Sequence, residues 1–269
     1  RAKRKVTRKK VRKKISRPLL IRTNLLMKKI AIELFGQLRM WDAQNIFELE
    51  KYLNSKDISV DYFGTFWDDE YTNRTLDINS NIFKKLQLLE EPERNTTDLY
   101  KYFYSLSNSI NQRKVYQDKY NINYDFIIHS RSDLDYSIGD SADELLNNLF
   151  NLLDSNKDNP CIFVCDKPRH TEENIDDKIF IGNNLGSDNL ESSFRLLEVD
   201  DTFRYHTSLW YAIKFCNCSL FKVPLFFKFN LLRTKFLREY NYKPKDDYEE
   251  VYLKTIQDTS LLKNKISIL

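Results

Sequence analysis

NINYDFIIHSRSDLDYS, residues 121–137, carries an apolar run from Phe126 to Ile128 and, just beyond it, two aspartates one residue apart, Asp133 and Asp135. A short run of β-branched and aromatic residues is the pattern of a buried strand. Two carboxylates at its end fit either a site for a hard cation or an ordinary polar turn. The surrounding chain decides between them.

Upstream, KKIAIELFG (28–36) is a short apolar run closed by a glycine turn, as in a buried strand. DAQNIFELEKYLNSKD follows, with Ile46, Leu49, Tyr52 and Leu53 at helical spacing, and then ISVDYFGTFW, a second strand. Residues 71–95 are polar and irregular, with a short helix expected over 82–89. From Thr97, Leu99, Tyr102, Phe103, Leu106 and Ile110 make one apolar helical face, with Thr97 or Asp98 as the cap. That helix leads into the strand at 126–130.

Downstream, Ser141-x-x-Glu144 has the form of a capping box ahead of Leu145, Leu146, Leu149, Phe150 and Leu153. NPCIFVCD and DDKIFIGN read as further strands, DTFRYHTSLWYAIKFCN as a helix, and CSLFKVPLFFKFNLLR as a closing strand bent near Pro224. The last thirty residues suggest an amphipathic helix. Strands alternating with helices define an α/β chain built on a largely parallel sheet. In such sheets ligands bind beyond the carboxyl ends of the strands, where Asp133 and Asp135 fall. Two acids there suit Mg²⁺ or Mn²⁺ and, through the cation, a diphosphate; Arg131 would pair with a phosphate or hold Asp133.

The set KIAIELFGQLRMW, DYFGTFWDDEY, YDFIIHSRSDLDYS and DDKIFIGN resembles the nucleotide-sugar glycosyltransferases of the GT-A fold over roughly residues 28–230. More narrowly, it is similar to bacterial and viral members with a GQLR first loop and a YD-apolar-R-x-D segment. The resemblance implies a Rossmann-like mixed, mainly parallel sheet flanked by helices, in one domain over 27–269. It implies a nucleotide-sugar donor, a glycan-type acceptor, whether glycan, protein or lipid-linked, and Mn²⁺ or Mg²⁺. Matched residue by residue, it places Asp133 and Asp135 on the metal and Gly36, Gln37 and Arg39 in the loop at the donor; Asp68 and Arg131 are further donor-binding candidates. Many relatives carry Pro where Ser132 stands and only one acid after R-x. His206 is a third metal-ligand candidate. Asp176, Asp177 and Glu198 are candidates for the catalytic base, with Asp177 preferred. Among the remaining candidates, His129 and His170 read as hydrogen-bonded or exposed, and Trp41, Trp67 and Trp210 as core packing more than sugar stacking.

The charge distribution has two unlike parts. Residues 1–26 hold 12 basic residues and no acid, leaving 31 basic against 39 acidic residues in the rest of the chain. The basic extension reads as a tail, a targeting segment or non-native sequence, or as a binder of nucleic acid or an acidic partner. Met27 would serve as a start. Neither a membrane span nor a signal peptide is evident, so a cytoplasmic, reducing compartment is expected. Cys161, Cys165, Cys216 and Cys218 lack zinc-ribbon spacing and read as buried free thiols.

Three functions follow from these observations. The first is a metal-dependent glycosyltransferase. The second is a catalytically silent docking subunit whose basic extension binds a partner, since fold does not fix function. The third, a nucleotidyl- or phosphotransferase, is disfavoured because no G-x4-G-K-[ST] loop is present.

Overall fold

The computed structural model describes residues 27–38, 44–69, 72, 76, 80–90, 97–166, 175–195 and 205–231. Its centre is β1 (Lys28–Gly36), buried along both faces, as a strand with neighbours on each side must be. β2 (Ile58–Trp67) and β4 (Phe126–Arg131) flank it in parallel, and β3 (Phe83–Leu89) continues in parallel beyond β2. The chain builds outward from β1 to β3 through α1 (Gln44–Asn54), then returns through α2 (Asp98–Tyr120) to lay β4 on the other side of β1. In open α/β sheets such a reversal, at the carboxyl ends of β1 and β4, is where ligands bind.

After β4 come β5 (Leu134–Ile138), α3 (Ala142–Ser155), β6 (Cys161–Cys165), β7 (Ile179–Gly182) and α4 (Asn184–Asn189). A 3-10 segment (Leu190–Arg195), α5 (Tyr205–Phe215), β8 (Ser219–Val223) and β9 (Phe227–Leu231) follow. The seven-stranded sheet has the order β3-β2-β1-β4-β7-β6-β8, while β5 and β9 form a separate antiparallel pair. β7 runs antiparallel to both its neighbours, and every other pairing in the large sheet is parallel.

Alternation along β1 divides the core. Ile30, Ile32 and Leu34 meet Ile46, Leu49 and Leu53 of α1, with Leu146, Leu149 and Leu153 of α3 in the same cluster. Phe35 points the other way, into a cluster with Leu99, Phe103, Leu106 and Ile110 of α2 and Leu209, Ala212 and Ile213 of α5. Each such leucine or isoleucine contributes about 1.5–3 kcal/mol when fully buried. Thr97 caps α2 by accepting from the Tyr100 amide at 3.2 Å, and Asn121 ends the helix in the left-handed region at φ 51°.

Four sequence expectations are corrected or bounded here. Residues 83–89 form strand β3, not a helix: the spacing of Ile82, Leu86 and Leu89 suits a helix, but pairing with β2 prevails. The edge strand exposes Lys84 and Lys85, charges that discourage further strand addition. Ser141 sits at the N-cap of α3 without a side-chain capping bond. The stretch around Pro224 is two strands in two sheets, β8 and β9, rather than one bent strand. The expected C-terminal helix lies outside the described residues, as do residues 1–26. The four cysteines are free, with Cys161, Cys216 and Cys218 buried and Cys165 half-buried. Among the described residues no helix is long and apolar enough to cross a membrane.

Candidate active site

Three strand ends lie side by side, because Gly36 pairs with Phe66 and Phe35 with Arg131. β1 leaves the sheet at Gly36, whose φ of +95° favours glycine. The next carbonyl, that of Gln37, accepts from Ser132 Oγ at 3.0 Å, which ties the loop after β1 to the turn after β4. Asp68 is exposed one strand over, just past the end of β2, and its amide donates to the Leu89 carbonyl at 2.8 Å.

The turn after β4 is drawn tight by its neighbours. Leu134 and Tyr136 enter the core, and the Tyr136 hydroxyl lies 2.5 Å from Ser130 Oγ. Asp135, between them on β5, is half-buried opposite Asn230. Asp133 is only 4% exposed, and Arg131 meets it as a fork, with Nε to Oδ1 at 2.9 Å and Nη2 to Oδ2 at 2.7 Å. The Arg131 side chain itself is 30% exposed. Such two-point pairing is the strongest form of arginine–carboxylate contact.

β7 brings in a third acid from a distance. Because it runs antiparallel to β4, its start lies beside the end of β4, and the Arg131 amide donates to the Lys178 carbonyl at 3.0 Å. Asp177, at 7% exposure, is thereby set near Arg131, and the Tyr102 hydroxyl of α2 fixes its carbonyl at 2.6 Å. Burial pushes the Asp177 carboxyl above the usual range, Lys178 and Arg131 pull it back, Asp176 adds to the rise, and the net direction is upward. Asp176 is held by Lys178, whose Nζ lies 3.0 Å from Oδ1.

The structure thus brings together Gly36, Gln37, Arg131, Asp133 and Asp177, with Asp68 and Asp135 on adjoining elements. His206 falls in the first turn of α5, and its side chain, like Arg39, His170, Glu198 and Trp41, lies outside the described residues. Trp67 and Trp210 pack against Tyr104 and Tyr211. Sequence reasoning missed Ser132 and Tyr102, which position the loop and the acid; only proximity to the double aspartate flagged Ser132, and no local signal flagged Tyr102. Asp133 and Asp135 are oxygen donors of the kind a hard divalent cation takes. Among the described residues no three His, Cys, Asp or Glu side chains are grouped to hold a metal ion.

A mixed, mainly parallel seven-stranded sheet flanked by helices, with its candidate site at the strand reversal, is an α/β arrangement consistent with the Rossmann-like GT-A fold. One similar solved structure is described as the "crystal structure of a glycosyltransferase involved in the glycosylation of the major capsid of PBCV-1". The likeness has a TM-score of 0.43 at 10% sequence identity, over 72% of this chain and 82% of that one. No protein-family model and no curated protein sequence matches the chain.

Proposed function

We propose that the chain is a glycosyltransferase that moves a sugar from a nucleoside-diphosphate donor to a hydroxyl of a glycan-type acceptor. What supports this reading is that Arg131, Asp133 and Asp177 lie near one another past the carboxyl end of β4, beside the Gly36–Gln37 loop. Gly36, Gln37, Arg39 and Asp68 would border the nucleotide, and Arg131 would take a phosphate in the two-point geometry it now offers Asp133. Asp133 and Asp135, with His206 as a third candidate, would hold Mn²⁺ or Mg²⁺, which when bound neutralises charge on the leaving diphosphate.

In the reaction the acceptor oxygen bonds to the anomeric carbon and the bond from that carbon to the β-phosphate oxygen breaks. The electron pair leaves with the nucleoside diphosphate, and the acceptor proton passes to Asp177. A base must keep its proton affinity in the working range, and burial does this for Asp177. The rate therefore rises with pH as Asp177 ionises, with its midpoint above the usual carboxyl value.

The test is a thermal-shift screen of nucleotide sugars with and without Mn²⁺. A donor at about 100 times its Kd adds about 2.7 kcal/mol of stability. That gain should vanish in Asp133→Asn. Asp177→Asn should keep donor binding while transfer falls about 10²–10⁴-fold. A response to no donor would sink the enzyme and favour the docking-subunit reading, in which the Arg131–Asp133 pair simply closes an inherited site.

A further inference from the structure

On the α2 face of the sheet lies a cavity of about 680 Å³ that the proposed reaction does not use, a size usual for a ligand site. It is bounded by the middle of α2, by α4 with the 3-10 segment after it, and by the end of α5. Cys216 and Asn217 of its α5 wall directly precede β8, whose first residue, Ser219, pairs with Cys161 at the start of β6. β6 and β8 run in the same direction as β4, so this wall sits at the amino end of the sheet, opposite the candidate active site.

Two carboxylates enter the cavity already fixed. Asp188 gives Oδ1 to Nη2 of the fully buried Arg113 at 2.7 Å, and Glu191 gives Oε2 to Lys114 Nζ at 2.5 Å. Each keeps a second oxygen with which to accept from a ligand. Asn217, exposed and in the left-handed region at φ 54°, adds an amide, and the exposed Arg195 adds a donor fork. Phe194 and Phe215 supply ring surface, and Phe215 is 49% exposed.

This lining discriminates among ligand classes. A purely apolar molecule would strip water from the acids and amides and return no hydrogen bond. A lone cation finds both acids already compensated, by Arg113 and Lys114. With those pairs cancelled, Arg195 leaves one positive charge, too little to offset a polyphosphate. A neutral sugar suits both parts of the wall, since each hydroxyl donates and accepts at its edge while its C–H face covers an aromatic ring.

We propose that the cavity is a second, non-catalytic site that holds a neutral oligosaccharide. Asp188, Glu191, Asn217 and Arg195 bind its hydroxyls, and Phe194 and Phe215 lie against a sugar face. Ring contacts continue from the cavity toward the carboxyl end of the sheet. Phe194 meets Tyr104 edge-on at 6.1 Å, and Tyr104 stacks at 6.2 Å on Trp67, the last residue of β2 before Asp68. That direction makes the bound glycan the far part of a long acceptor, an assignment that rests on the transfer reading, whereas the binding itself does not.

The experiment titrates the full chain by isothermal calorimetry, without nucleotide or metal. The probes are hexasaccharides of glucose, mannose, galactose and N-acetylglucosamine, with hexagalacturonate as the acidic counterpart. The wild type should bind a neutral hexamer at one site per chain. Phe215→Ala and Glu191→Gln should each weaken that binding about tenfold, the loss of one good contact. Phe215 is half exposed and Glu191 partly so, and both variants should keep the wild-type circular dichroism spectrum and the wild-type response to nucleotide sugars.

Binding of no neutral hexamer, unchanged affinity in both variants, or tighter binding of hexagalacturonate overturns the glycan site and leaves transfer to the donor screen. Hexamer binding that both variants weaken, in a chain that responds to no nucleotide sugar, upholds the site and overturns transfer.

Discussion

Two arginine–carboxylate pairs lie on the same side of the sheet, and burial separates their roles. Arg113 of α2 and Glu33 of β1 are fully buried, with Nε and Oε1 2.6 Å apart. Around them Glu33 Oε2 lies 2.9 Å from His129 Nδ1, an ion-pair distance without hydrogen-bond geometry, Arg113 Nη2 is 2.7 Å from Asp188, and Nη1 contacts Gln117. Arg131 and Asp133 form a two-point fork, but the Arg131 side chain is 30% exposed. A fully buried pair locks helix to sheet, whereas an arginine that is partly exposed can be reached from solvent.

The inner network also shows why geometry without access means little. Ser187 Oγ lies 2.8 Å from His129 Nε2, which with Glu33 beyond gives the order of a serine–histidine–acid relay. All three side chains are fully buried, His129 stacks on Phe180 at 4.6 Å, and a Cβ at Gly182 would collide with the serine oxygen. No substrate carbonyl fits, so the relay is scaffold.

Breaking the inner pair should have the largest effect. Glu33→Ala or Arg113→Ala leaves a buried charge unpaired and should cost about 3–5 kcal/mol in urea unfolding. The double variant should cost less than the sum by about 0.5–3 kcal/mol, since the two side chains share one interaction. Arg131→Ala should cost less, about 1–3 kcal/mol, because the deleted side chain is 30% exposed and its loss opens Asp133 to water. Equal losses at the two sites would erase the distinction between the fully buried pair and the partly exposed one.

The outer pair was legible in the sequence and the inner network was not, for a physical reason. Arg131 and Asp133 are two residues apart at the end of an apolar run, so local pattern displays them together. Glu33, Arg113, His129 and Ser187 are far apart in sequence and meet only because α2 packs on β1 while α4 packs on β4, beside β1. The same limit hid the direction of β7, since an apolar run such as Ile179–Ile181 carries no mark of orientation. Direction is what carries Asp177 to Arg131. Local pattern also misread residues 83–89, where long-range pairing with β2 outweighed helical spacing.

Acid should sharpen the comparison at a smaller scale. Burial by itself would raise the Glu33 carboxyl, but His129 and Arg113 outweigh it and hold it below its ordinary value of 4.5. The folded state thus releases this proton more readily than the unfolded chain. The stabilisation is fully present above pH 4.5 and is lost as pH falls through the lower, folded value. Glu33→Gln should flatten that acid-side loss in a urea series across pH, whereas Asp133→Asn should leave most of it in place.

Asp177 should show the opposite sign and the smallest effect on stability. Its folded carboxyl is raised above the ordinary 3.8, so the unfolded chain gives up the proton first as pH rises. Stability therefore declines from pH 3.8 up to the folded value and stays lowered beyond it. Asp177→Asn keeps the shape without the charge and should raise the unfolding midpoint slightly at neutral pH, with no gain below pH 3.8, where both forms are neutral. A group kept at a cost to the fold is what a proton-transfer role would explain, by contrast with Glu33, whose charge the fold rewards. A loss of stability at neutral pH in this variant would make Asp177 a second structural acid and remove the base from the proposed reaction.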